Sequence, residues 1–315
     1  MVRKTKWIEN SSSDDQVDEV ARRTLTGRLD FVWHFLSRAA ADNHQPEDVH
    51  QLRVATRRAT AVLQIFQALL PRRRARKMEK QLKRIRRAAG EARDLDVLAA
   101  RLKKDQTTHD ADGSARLQHF VSRLRERAQP AIEQLHVELS RKNRFARRAQ
   151  SLIARLRVRS AEGSMPSHTF ADVARQDLCP LVDRFFAAAA ADLGQLDALH
   201  GLRICGKRVR YALEIFGGVF GPEMRQENYP VVAEIQEKLG KINDHVTAAR
   251  LYADGLDRVE DSDVAGLLHP LIAEERRTID QGRREFLAWW TASRSADLRR
   301  LFENQFADHP QGQSA

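Results

Sequence analysis

Histidine and arginine recur in this chain at a spacing suited to gripping an anion. His50, Arg53 and Arg57 stand at i, i+3 and i+7, so on a helix turning by about 100° per residue they share one face. The row returns 150 positions later as His200, Arg203 and Lys207, followed by Arg210. A single charge row is usually just a solvated face. Like charges along a helix repel by a few tenths of a kcal/mol per pair, so a row present in two copies argues for a shared anionic ligand lying across it. Guanidinium forks match phosphate oxygens, ammonium supplies a point charge, and imidazole adds a donor that protonation strengthens.

Further cations line two other helical segments. Arg73, Arg76, Lys77, Lys80, Lys83, Arg84 and Arg87 fall opposite a narrow apolar seam of Met78, Leu82, Ile85 and Ala89. The axial rise from 73 to 87 is about 21 Å, longer than a nucleoside triphosphate needs and suited to a linear polyanion. Arg141, Arg144, Arg148, Arg155 and Arg159 share an edge beside Phe145, Leu152 and Leu156. Arg58 and Arg208 differ from the rest because each projects into the apolar arc of its helix, where an unpaired guanidinium is costly. Asp94 and Asp244, on the helices that follow, are the first candidates for structural ion pairs with them.

The elements that must position these residues are helices. Apolar residues recur at three and four, and only 15 Gly and 9 Pro punctuate 315 residues. Helical spans are expected over 14–41, 46–70, 72–104, 113–139, 143–160, 168–193, 196–217, 223–254, 262–291 and 294–307, with no strands. The sequence is written twice. Val49-His50-Gln51-Leu52-Arg53-Val54 matches Leu199-His200-Gly201-Leu202-Arg203-Ile204. Without a gap, Leu63, Ile65, Phe66, Gly90 and Asp94 match Leu213, Ile215, Phe216, Gly240 and Asp244 over about 45 positions. The expected fold is therefore all-α, two helical bundles of about four to five helices each, related by internal duplication and pseudo-two-fold symmetry: residues 1–160 and residues 161–315. Charge divides at the same place. Residues 1–160 carry 36 Lys and Arg against 19 Asp and Glu, and residues 161–315 carry 18 against 24, a balance of +17 and of −6. An excess on that scale is explained by an anionic partner.

Other function classes find little support. No apolar run approaches the ~20 residues of a membrane span, and no apolar signal core follows the basic start. Cys179 and Cys205 form no disulfide framework and suit a reducing cytosol, so a cytoplasmic location is expected. There is no Gly-rich phosphate loop with a Lys, no H-E-x-x-H, no paired Cys motif and no nucleophile elbow. His109-Asp110 sits in what reads as a polar loop. His50 and His200 with Asp94 and Asp244 offer ligands for a divalent ion, which makes a metal-dependent phosphohydrolase one alternative. A metal among so many cations would need more acids. The expectation is binding without turnover, and no metal or cofactor. Non-specific nucleic-acid binding is the stronger rival, because it presents the same phosphates. Aromatics are only 6% and sit at core spacing, poor equipment for stacking bases.

The repeated H-x-x-R-[VI]-x-x-[RK]-R, followed about 40 residues on by G-x-x-x-D, resembles the CHAD family, the conserved histidine α-helical domain. The resemblance spans about residues 10–305. It implies a pair of helical bundles with a basic inner surface that binds inorganic polyphosphate, an association with polyphosphate granules, and ligand contacts from His50, Arg53, Arg57, His200, Arg203, Lys207 and Arg210. The first copy departs from the pattern at Thr60, where the second keeps Arg210. Glu234 and Glu237 stand where the first copy has Arg84 and Arg87, so the first half is expected to carry more of the affinity. The two His-Arg helices are expected to face each other across the pseudo-two-fold axis, with helix 72–104 flooring the trough. Protonation of the histidines is then expected to tighten binding from pH 8 to pH 6.

Overall fold

The computed structural model describes residues 6–8, 11–104, 111–156, 169–257, 259 and 262–307. His109, Asp110, Arg159 and the expected boundary at 160/161 lie outside the described residues. Helices account for nearly all of the rest: α1 (Val17–Ala39), α2 (Pro46–Ile65), α3 (Arg72–Lys104), α4 (Ala111–Ser140), α5 (Arg144–Ile153), α6 (Phe170–Ala189), α7 (Leu196–Phe216), α8 (Tyr229–Leu256), α9 (Ser262–Trp289) and α10 (Ala292–Ala307). The protein is all-α, as the three-and-four periodicity requires. Among the described residues the nearest thing to a strand is one antiparallel bridge, Gln16 to Thr169, which ties the start of α1 to the start of α6.

Differences from the expected spans have local causes. The stretch 46–70 is not one helix: α2 stops at Ile65, and a 3-10 turn, Gln67–Leu69, leads to Pro71. A π-turn, Met224–Asn228, precedes α8 and buries Met224 and Asn228. Pro130, Pro180 and Pro270 lie inside α4, α6 and α9, and Gly113, expected as a helix stop, lies within α4. Tertiary packing of the apolar faces outweighs these local breakers.

Each half is a sequential antiparallel arrangement. α1, α2, α3 and α4 pack in chain order with α5 laid against α1, α3 and α4; α6, α7, α8 and α9 repeat the order, with α10 against α6. Between the halves α1 meets α6, α2 meets α7, α3 meets α8 and α4 meets α9. Each of α1 to α4 thus touches the helix five places later, the contact pattern expected of two similar helical units about a two-fold axis. Buried side chains form one continuous cluster through both halves. At the junction Phe66, Phe170 and Phe216 stack in series, at centroid spacings of 6.4 and 5.5 Å, and Phe66 and Phe216 are the duplicated positions. Burial of these faces turns the cationic edges of α2 and α7 toward each other.

Candidate polyanion-binding site

The site is built where α2 meets α7. On α2, Arg53 donates from Nη1 to the Gly90 carbonyl at 3.0 Å and to Asp94 Oδ1 at 2.6 Å, both on α3. One turn on, Arg57 donates from Nε across the interface to the Tyr211 hydroxyl of α7 at 2.9 Å. Arg210 reaches the same hydroxyl at 3.4 Å, and its guanidinium lies over the Tyr211 ring, 5.1 Å from the centroid. Tyr211 is 6% exposed, so its oxygen is a fixed post that orients one arginine from each half.

These cations are poorly neutralised. Nε of Arg203 and Nε of Arg210 are buried, with no hydrogen-bond partner among the described residues, and an unmet buried donor costs about 1–3 kcal/mol. Burial makes the Arg203 guanidinium a weaker base; Asp244 opposes this, while Arg57 and Arg53 add to it. Lys207 is pushed down to about 7 by burial and then by Arg203, Arg57, Arg210 and Arg53. Arg86 of α3 is lowered in the same way, by burial and by Arg57, Arg53 and Arg87. Mutual influence among side chains of α2, α3 and α7 shows that they share one region of positive potential. Such a region is chemically suited to an anion with several acceptor oxygens.

Neither of the two expected ion pairs forms among the described residues. Arg58 is not held by Asp94: its Nε and Nη2 donate to Glu214 of α7, at 2.6 and 3.2 Å. Glu214 is 2% exposed and also accepts from the Tyr229 hydroxyl at 3.2 Å. Around α2, Arg58 lies about 140° from Arg53, so the helix that carries Asp94 is on its far side. Asp94 serves Arg53 instead. Arg208 is not held by Asp244; its side chain is exposed, and Asp244 is exposed too and exerts its field on Arg203. In both copies, then, the aspartate serves the first arginine of the motif, by contact in one and by field in the other.

The histidines also part company. His50 is half-buried, and burial, then Arg93, with Arg57 and Arg53 adding, holds it below the ordinary imidazole range against the pull of Glu47. His200 is exposed and makes no hydrogen bond or ion pair among the described residues. Their equivalence in sequence does not extend to their surroundings.

The outer cations divide into two sets. All of Arg73, Arg76, Lys77, Lys80, Lys83, Arg84 and Arg87 are exposed on α3. Lys83, Arg86 and Arg87 lie within about 60° of Gly90 around that helix, on the flank that touches Arg53, with Arg76 on the same arc and Lys80 at its margin. Arg84 lies about 120° away and is held by Glu138 of α4 at 2.6 and 3.0 Å; Arg144 of α5 shares that carboxylate at 3.2 Å. Arg73 and Lys77 follow Arg84. Arg148 is exposed and hydrogen-bonded to Gln81 of α3, and Arg141 and Arg155 are exposed. α5 packs on α1, α3 and α4, so its arginines belong to the outer end of the first bundle and not to the α2–α7 junction.

Arg86, Tyr211 and Arg93 escaped the sequence reading. Arg86 lies in the string Lys83-Arg84-Ile85-Arg86-Arg87, and its adjacency to Gly90 on the wheel was the available signal. Nothing in the sequence pointed Tyr211 at Arg57. Among the described residues no three His, Cys, Asp or Glu side chains come together in a set able to hold a metal. A separate cavity of about 80 Å³, lined by Arg101, His245, Tyr252, Glu274, Glu275 and Thr278 among others, contains none of the α2–α7 cations. No helix of the described residues is long and apolar enough to cross a membrane.

A family model described as the CHAD domain matches residues 25–253, from within α1 to within α8 and so across both copies of the motif. The crystal structure of the CHAD domain from the plant Ricinus communis is 26% identical, covers 95% of this chain and 94% of that one, and superposes with a TM-score of 0.65. PptA from Streptomyces chartreusis is 18% identical over 88% of this chain and 99% of that one, with a TM-score of 0.58, a likeness of fold alone. No curated protein sequence matches.

Proposed function

The chain belongs to the CHAD family, and from that premise we propose that it binds inorganic polyphosphate along the cationic junction of α2 and α7, without turning it over, and so associates with polyphosphate granules. The observation that carries the reading is the convergence of Arg53 and Arg57 with Arg203, Lys207 and Arg210 around buried guanidinium N–H groups that have no acceptor. A chain of linked phosphoryl groups offers acceptor oxygens at every unit and reaches both copies at once. Lys83, Arg86, Arg87 and Arg76 extend the track along α3. No family of enzymes is indicated by the match or by either solved structure.

The test is a competition titration of long-chain polyphosphate against duplex DNA and ATP at one near-physiological salt concentration. Polyphosphate is expected to displace both competitors; displacement of polyphosphate by an equal concentration of duplex phosphate would favour nucleic acid. Arg53→Ala combined with Arg203→Ala is expected to weaken polyphosphate binding at least tenfold more than Arg294→Ala combined with Arg299→Ala, both on the exposed face of α10. Equal losses would mean a diffuse attraction and no built site.

A further inference from the structure

The same cluster holds one cation that can lose its charge. Guanidinium groups keep their proton throughout the working pH range, whereas a lysine amine gives it up when buried among like charges. Lys207 is the lysine at the junction. It is half-buried, and α7 is closely packed at the adjoining Gly206, where a side chain would strike Gln236 of α8 and press on Phe185 of α6. Arg203 and Arg210 flank Lys207 one turn away on α7, and α2 packs against α7 there, with Arg57 Nε 2.9 Å from the hydroxyl of Tyr211, one turn beyond Lys207; the fields of Arg53 and Arg57 both act on Lys207. From α3, Arg86 joins the same field. α6 contributes the Phe185 ring beside Gly206.

The carboxylates within reach are committed elsewhere. Asp94 is bound by Arg53 and Glu214 by Arg58 and Tyr229. On α8, Glu234 and Glu237 pair with Lys238 and Lys241 of their own helix, and Asp244 acts on Arg203. The groups acting most strongly on Lys207 are all cations.

Resting on the polyphosphate reading, we propose that Lys207 makes binding at this junction proton-linked: engagement of the phosphoryl chain brings a proton from solvent onto its Nζ. In the ligand-free protein the amine titrates at about 7. Phosphoryl oxygens laid against it reverse the sign of the local field and return it toward the ordinary lysine range, near 10.4. Between those limits the bound state holds a proton that the free state lacks. Affinity therefore falls as pH rises, by up to about tenfold per unit above pH 7. His50 starts below 6.5 in the free protein, and its share of any uptake is read separately by the His50→Gln variant.

Calorimetric titration of the full chain with long-chain inorganic polyphosphate at pH 8, in Tris and in HEPES, reads the proton directly. The wild type is expected to take up close to one proton per bound protein, seen as a buffer-dependent heat. Lys207→Arg, charged at every pH, is expected to take up none and to bind more tightly than wild type at pH 9; Lys207→Met is expected to lose the uptake and to bind more weakly at pH 6.5. His50→Gln keeps the uptake. Heats that are the same in both buffers for the wild type, or uptake that persists in Lys207→Arg, overturn the proposal while leaving polyphosphate binding intact. Absence of binding by the wild type overturns the ligand reading itself, and the proposal with it.

Discussion

Arg53 and Arg58 sit five positions apart on one helix and have opposite fates. The first is oriented by Asp94 and a backbone carbonyl at the edge of the cationic junction; the second is locked to buried Glu214 and presents no free charge to a ligand. A repeated arginine is therefore not by itself a ligand contact; what its neighbours leave unsatisfied decides. The same logic applies to acids. Asp177 on α6 is half-buried without a hydrogen bond or ion pair among the described residues, and burial pushes it up from 3.8 to about 6. The folded protein thus holds a proton there that the unfolded chain has lost, so stability contributed at low pH disappears as pH rises from about 4 to about 6. Asp177→Asn is expected to melt at a higher temperature than wild type at pH 7.5 and at nearly the same temperature at pH 4. An equal gain at both would show that burial of the charge is not the cause.

Among the elements, α3 carries the most cations but not all on the same footing. One flank, Lys83 with Arg86 and Arg87, continues the junction formed by α2 and α7, whereas Arg84 on the other is neutralised by Glu138 together with Arg144 of α5. A cation that touches the polyanion releases counterions on binding, and its removal lowers the salt slope by about one. Lys83→Ala combined with Arg87→Ala is expected to reduce the slope of log affinity against log salt by about two. Arg84→Ala combined with Arg144→Ala is expected to leave it nearly unchanged. Equal slopes in the two variants would place the ligand across the whole of α3 and α5. In the second half α8 offers Glu234 and Glu237 at the corresponding positions, each paired with its own lysine, so the second half is expected to contribute less to the affinity.

At the scale of the whole molecule, two halves of opposite net charge are joined through a continuous apolar core and through polar ties across it. The Arg58–Glu214 pair is the most buried of these ties, with Arg57–Tyr211 beside it. Breaking a buried pair from one side leaves an uncompensated charge, at a cost of about 3–5 kcal/mol. Glu214→Gln is expected to lower stability to denaturant by that amount while the halves still unfold in one transition. A second transition would mean that each bundle folds alone and that the junction is a docked interface.

Periodicity and self-similarity are local properties of the chain, and they alone determined that it is helical, that α2 and α7 carry matching rows of His, Arg and Lys, and that Gly90 and Asp94 recur as Gly240 and Asp244, but not that Asp94 pairs with Arg53. Around a helix the direction of each side chain follows from about 100° per residue, so which residues share a face needs no tertiary information. What occupies the space in front of that face does. Glu214 as the partner of Arg58, the exposure of Arg208, Tyr211 between Arg57 and Arg210, and the burial that separates His50 from His200 and weakens Lys207 as a base all depend on helices distant in sequence. Desolvation and pairing are set by those neighbours, and two copies of one motif acquire different chemistry because different residues close over them.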